Sequence, residues 1–104
     1  MFFTKLRNKI LEKIITTKFT QRQLKILLLI FRFSLGANKP DVVFDKKDFF
    51  NAGISPYDVE EILKKLLIRR VIQWDPERKK FWINRSLTEW IDKDNKFDNF
   101  QIKN

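Results

Sequence analysis

The chain has 104 residues, and its 22 Lys and Arg against 13 Asp and Glu give a formal charge of +9, with no cysteine and no histidine. That length fits one domain with a modest core; the missing cysteines exclude a disulfide framework and thiolate metal sites, and the missing histidines remove the usual general base and the usual ligand for zinc, copper or nickel. Gly36 and Gly53 stand alone, so there is no Gly-rich phosphate loop, and the carboxylate pairs Asp45 with Asp48 and Glu60 with Glu61 read as solvated helix charges rather than a magnesium site; the expectation is a binding protein, not an enzyme, with no cofactor and no metal.

The first predicted element is a helix over 3–17, with Leu6, Ile10, Leu11, Ile14 and Ile15 on one side and Lys5, Arg7, Lys9 and Lys13 on the others. A basic amphipathic helix can pack on a core or lie on an anionic membrane, and packing is the commoner use. The same four cations interrupt any signal-peptide core, and the longest apolar run, over 26–31, is far below the roughly twenty residues of a membrane span. A soluble, intracellular protein is expected.

Thr20-Gln21-Arg22-Gln23 is a capping-box pattern and opens the second helix. From Leu24 to Phe33 that helix is apolar on nearly every side except at Lys25 and Arg32, which predicts the central helix of the core, and Gly36 is expected to end it in the left-handed conformation. After a loop at Asn38-Lys39-Pro40-Asp41, Val42-Val43-Phe44 reads as a short strand, able to join a later hairpin as a third strand. Asp45 is placed to cap a short helix carrying Phe49 and Phe50, and Asn51-Ala52-Gly53 makes the turn into the next helix.

That next helix starts at Ser55-Pro56: the Ser55 hydroxyl can accept from orphan amides, Pro56 has no amide to leave unpaired, and Asp58 faces the positive helix end. Val59, Ile62, Leu63, Leu66 and Leu67 give it one buried face. Two β-rich runs follow, Val71-Ile72-Gln73-Trp74 and Phe81-Trp82-Ile83, separated by a turn on which Arg78, Lys79 and Lys80 place three positive charges. Short helix, Gly-containing turn, longer helix and hairpin is the order of a winged helix-turn-helix, so the predicted fold is mainly α with a small β-hairpin or three-stranded sheet. Leu87, Trp90 and Ile91 at helical spacing are expected to fold back on this domain, which is assigned residues 1–91, leaving a polar tail over 92–104 that contains Phe97, Phe100 and Ile102.

The charge is unevenly divided. Residues 1–40 carry nine basic side chains and one acid, residues 41–70 six of each, and residues 71–104 seven basic and six acidic. A polyanion would meet the positive surplus ahead of the helix-turn-helix.

Together these residues resemble the N-terminal domain of the bacteriophage replication protein O and replisome-organiser family. The resemblance runs from about Phe3 to Trp90: an opening Phe-Thr-Lys, then Phe19-Thr20-Gln21-Arg22-Gln23-Leu24-Lys25-Ile26-Leu27 leading to Arg32, Ser34 and Gly36, then Asn38-Lys39, an Asp-led helix, Gly53-Ile54-Ser55, and Ile83-Asn84-Arg85 followed by Trp90. The resemblance implies a winged helix that binds repeats in a replication origin, in a phage, prophage or mobile element, and hence in the cytoplasm of a bacterial host. A separate C-terminal part recruits the helicase in that family; 104 residues hold no such part, so the expectation is a stand-alone relative or a truncated form, with Met1 and the abrupt end at Asn104 favouring truncation. The chain departs from the family pattern at one place: the helix after Pro56 begins with Tyr57, Asp58, Glu60 and Glu61 instead of small polar and basic residues.

The leading expectation is therefore a double-stranded-DNA-binding module in replication initiation. Ser55, Tyr57, Asp58, Glu61 and Lys64 or Lys65 would face a groove, Arg78, Lys79 and Lys80 would meet phosphate from the wing, and Lys5, Arg7, Lys9, Arg22 and Lys25 would add phosphate contacts. Carboxylates repel phosphate but accept from cytosine amino groups, so the acidic helix start weakens the usual docking without abolishing it. The alternatives are a protein-interaction winged helix, dimerising or docking a replication partner through its acidic helix start and the tryptophans, and a small transcriptional regulator on the same fold.

Overall fold

The computed structural model describes residues 2–91; the tail assigned to 92–104 lies outside the described residues. Helix α1 spans Phe2–Thr16. Ile10 and Ile14 are buried and Leu6 packs beside them, but Leu11 is 38% and Ile15 73% exposed, so the buried stripe is narrower than the sequence predicts. The reason is angular: each of the two lies about 100° around the helix from its buried neighbour.

Helix α2, Gln21–Phe33, begins in the expected capping box, with the Gln23 amide donating to Thr20 Oγ1 at 3.2 Å and the Thr20 amide donating to Gln23 Oε1 at 3.1 Å. Ile26, Leu27 and Ile30 are fully buried, and the helix packs on both α4 and the sheet described below. It is central, though not buried all round, since Leu28 and Phe33 reach solvent. Its end differs from expectation. Gly36 lies in a 3-10 turn, Leu35–Ala37, and the left-handed residue is Asn38 at φ 61°. Gly36 answers a different need, because a β-carbon there would stand 3.1 Å from the Phe31 carbonyl oxygen.

Strand β1, Val42–Val43, leads into α3, Lys46–Asn51, which Asp45 caps as expected by accepting from the Lys47 amide at 3.1 Å. Phe49 is buried while Phe50 is exposed. Gly53, at φ 88°, turns the chain into α4, Pro56–Ile68, whose face Val59, Ile62, Leu63 and Leu66 is buried as the spacing predicts. The end of α4 carries no glycine. Arg70 takes the left-handed conformation at φ 60°, the Val71 amide donates to the Leu66 carbonyl and the Arg70 amide to the Leu67 carbonyl, each at 3.0 Å. This is a Schellman closure made with arginine.

Strands β2, Ile72–Asp75, and β3, Lys80–Ile83, form the hairpin, and β1 adds to its β3 edge, giving an antiparallel sheet in the order β1-β3-β2. Val42 stands opposite Phe81, and Gln73 opposite Trp82. Alternation separates the two hairpin tryptophans. Trp74 joins the core, stacked on Phe81 with ring centroids 5.4 Å apart, whereas the Trp82 indole N–H donates to Gln73 Oε1 on the other face. Beyond β3 the predicted helix is only a 3-10 turn, Leu87–Glu89, with Trp90 buried and its indole donating to the Asn84 carbonyl at 2.9 Å.

One buried side chain ties the ends of the domain together. Arg69, 1% exposed, donates to the Lys18 carbonyl (2.7 Å), to Gln23 Oε1 (3.1 Å) and to the Ile91 carbonyl (2.8 Å), with its guanidinium 4.4 Å from the Phe19 ring centroid. The chain is thus mainly helical with a small three-stranded antiparallel sheet. Its order from α2 onward, helix, strand, helix, turn, helix and hairpin, is compatible with a winged helix-turn-helix.

Candidate nucleic-acid interface

The start of α4 is where the structure gathers the predicted residues. Ser55 is the N-cap, its hydroxyl accepting from the Tyr57 amide at 3.4 Å. Tyr57 is 92% exposed and forms the crest of the helix, with Glu61 and Lys64 also exposed one and two turns on. Asp58 is turned aside: its carboxylate pairs with Arg22 of α2 at 3.0 Å. Glu61 lies 3.9 Å from Lys65 on the same helix. Two of the carboxylates that set this helix apart are therefore answered by cations within the chain, which softens the repulsion that sequence alone implies.

Helix α2 supplies those neighbours. Arg22 and Lys25 line a recess with Gln21, Gly53, Ser55 and Asp58, and the Lys25 ammonium lies over Gly53, 3.1 Å from where a β-carbon would stand. Gly53 leaves that approach open, and its positive φ suits it to the turn. The positive end of the α4 dipole adds to the potential there.

The cations of α1 are placed differently. Lys5 and Lys9 are exposed, and Arg7 donates to Asn38 Oδ1 at 3.1 Å. Asn38 follows the C-terminal end of α2, whereas Arg22 and Lys25 stand in its first two turns, about 20 Å away along a thirteen-residue helix. So α2, rather than α1, carries the N-terminal surplus to the start of α4.

On the hairpin, Arg78 and Lys79 occupy the turn and Lys80 does not. Lys80 belongs to β3, opposite Asp75, and is half-buried. Arg78 pairs with Asp75 at 3.7 Å and Lys79 with Asp45 at 3.7 Å. The Lys47 amide, and then the Lys79 ammonium, hold the Asp45 carboxyl below the usual carboxylate range. These are exposed pairs, screened by solvent and weak enough for a phosphate to displace. From sequence Asp45 reads only as a helix cap and Asp75 only as a turn residue; that each also pairs with a cation of the hairpin turn, Asp45 from thirty-four residues away, is set by the fold.

The model for bacteriophage replication protein O matches residues 2–90 of the chain. The chain belongs to the bacteriophage replication protein O family. That match spans every described element from α1 to the 3-10 turn before Trp90, and it gives this replication protein O relative a role in phage replication. Comparison with curated proteins and with solved structures gives no match. Among the described residues, no helix of this family member is long and apolar enough to cross a membrane, and no group of three or more Asp or Glu is placed to hold a metal ion.

Proposed function

We propose that the chain is a double-stranded-DNA-binding module that acts at a replication origin, in the cytoplasm of a bacterial host, and carries out no reaction of its own. The observation that supports this most is the convergence of Arg22 and Lys25 on the Gly53-Ser55 turn, beside the exposed crest Tyr57, Glu61 and Lys64. In this reading Arg22 and Lys25 hold one phosphate run, Arg78 and Lys79 hold another from the wing, and the crest of α4 lies between them against base edges. Asp58 serves mainly to orient Arg22 through their ion pair. Lys80, Lys65, Lys5, Arg7 and Lys9 contribute general attraction rather than defined contacts.

A duplex titration at several salt concentrations tests this. Replacing Arg22 and Lys25 together by Gln is expected to lower the slope of log affinity against log salt by about 1.8, and the same change at Lys5 and Lys9 to lower it by much less. Binding that is insensitive to salt, or equal losses for the two double variants, would overturn the assignment.

A further inference from the structure

Alternation along the hairpin sends Gln73 and Asp75 of β2, and Lys80 and Trp82 of β3, to the face of the sheet that points away from the core. They line an open groove of about 680 Å³, to which Arg78, Arg85, Asp41 and Glu89 also contribute. Trp82 is half-buried there, and its indole N–H donates to Gln73 Oε1, which fixes the ring and satisfies its polar edge. Trp74 and Trp90 join the core, but Trp82 does not. The duplex-binding reading makes no use of it either.

The charges around the ring are mixed. Asp75 pairs with Arg78 at 3.7 Å and stands opposite Lys80, and Glu89 Oε1 accepts from Asn84 Nδ2 at 3.0 Å. Among the described residues Lys80 and Arg85 have no ion-pair partner. A protein contact centres on a patch depleted of charge, whereas this indole lies among Arg78, Lys80, Arg85, Asp41, Asp75 and Glu89. A polyanion that carries aromatic faces would use both the ring and the two available cations. Duplex DNA offers a protein only base edges, because its base faces are stacked on each other; a ring on a sheet needs an unstacked base, which a single strand supplies. The chain's role in phage replication makes DNA the polymer, since copying a duplex exposes its strands. Lys80 precedes Trp82 by two residues on the same face, about 7 Å along the strand, and Arg85 follows it by three, so cations flank the ring on both sides in the sequence.

We propose that the outer face of the sheet is a single-stranded-DNA site, with one base stacked on Trp82 and the adjoining phosphates held by Lys80 and Arg85. Gln73 positions the indole. Because the groove holds as many carboxylates as cations, the stack supplies more of the affinity than charge does. This surface is distinct from the start of α4 and does not depend on a duplex being bound there.

The test titrates the full chain against a fluorescently labelled oligothymidylate of about ten nucleotides and follows anisotropy. Trp82→Leu is expected to weaken binding at least about fivefold, and Trp82→Phe, which keeps a ring but not the indole N–H, by less than about twofold. Lys80→Gln combined with Arg85→Gln is expected to weaken it at least about threefold, and by more than Arg22→Gln combined with Lys25→Gln at the start of α4. Lys80 and Arg85 lie outside the core, so their double variant probes the same face should Trp82→Leu disturb the hairpin. Equal affinities of the Trp82→Leu and Trp82→Phe variants, a larger loss from the Arg22 and Lys25 changes, or no binding of the oligothymidylate at all would each overturn the proposal. No duplex enters the measurement, so its failure and the failure of the duplex-binding reading are separate results.

Discussion

Arg69 and Arg70 are adjacent in sequence and opposite in role. Arg69 closes α4 with its guanidinium in the interior, serving three acceptors from three parts of the chain. Truncation leaves the Lys18 and Ile91 carbonyls and Gln23 Oε1 without that donor, so Arg69→Met is expected to destabilise the domain by roughly 3 kcal/mol or more in urea unfolding. Arg69→Lys should rescue little, because one ammonium on a flexible stem cannot reproduce the fork. Arg70 is exposed and pays for the turn with a left-handed backbone, its carbonyl accepting from Asn84 Nδ2 at 2.9 Å. Arg70→Gly should raise stability by about 1 kcal/mol in the same assay and leave DNA affinity nearly unchanged. Neither role was legible in the sequence. Two arginines after an apolar helix read as surface charge, since burial of a guanidinium depends on carbonyls 22 and 51 residues away, and a left-handed helix end is recognised from sequence by glycine, which is not there.

At the scale of elements, what the sequence carried well was set by local chemistry. The Thr20-Gln23 capping box, the Asp45 and Ser55 caps and the buried face of α4 each depend on residues within two turns of one another, and each forms as expected. What it carried poorly was set by neighbours. Asp58 pairs across to α2, Leu11 and Ile15 stay exposed among the described residues because each lies about 100° around α1 from its buried neighbour, and Lys80 leaves the turn for β3 once β1 pairs beside it. In the proposed DNA-binding role, the hairpin tip would trade stability for a phosphate contact. Lys79 sits at φ 54°, where glycine is preferred, yet it keeps its charge beside Asp45 at the hairpin tip. Lys79→Gly is therefore expected to stabilise the hairpin by about 0.5–1 kcal/mol in thermal unfolding while reducing the salt slope of duplex binding by about 0.9. Arg70→Gly shares the backbone gain without the binding loss, so the two variants measured together separate backbone strain from phosphate contact.

For the molecule as a whole, salt is expected to act on folding and on the proposed DNA binding with opposite sign. The net charge of +9, with nine of the cations and a single acid in the first forty residues, makes the folded domain repel itself, because α1 and α2 hold seven of those cations within one small body. Ion pairs among the described residues, such as Arg22–Asp58, Lys65–Glu61, Arg78–Asp75 and Lys79–Asp45, oppose this, but each is weak and is itself screened. Raising salt from about 0.05 to 0.2 M shortens the Debye length from about 14 to 7 Å, which damps the longer-range repulsion more than the contacts at 3–4 Å. The melting temperature in the absence of DNA is therefore expected to rise by about 2–4 °C across this range, equivalent to roughly 0.5 kcal/mol. Duplex binding should move the other way. With Arg22, Lys25, Arg78 and Lys79 each displacing a counterion the slope is about −3.6, so affinity falls by roughly 10²-fold over the same fourfold change in salt. Calorimetric melting and a duplex titration in matched buffers check both halves: a melting temperature that falls with salt would mean the ion pairs outweigh the repulsion, and an affinity that does not fall would remove phosphate from the interface.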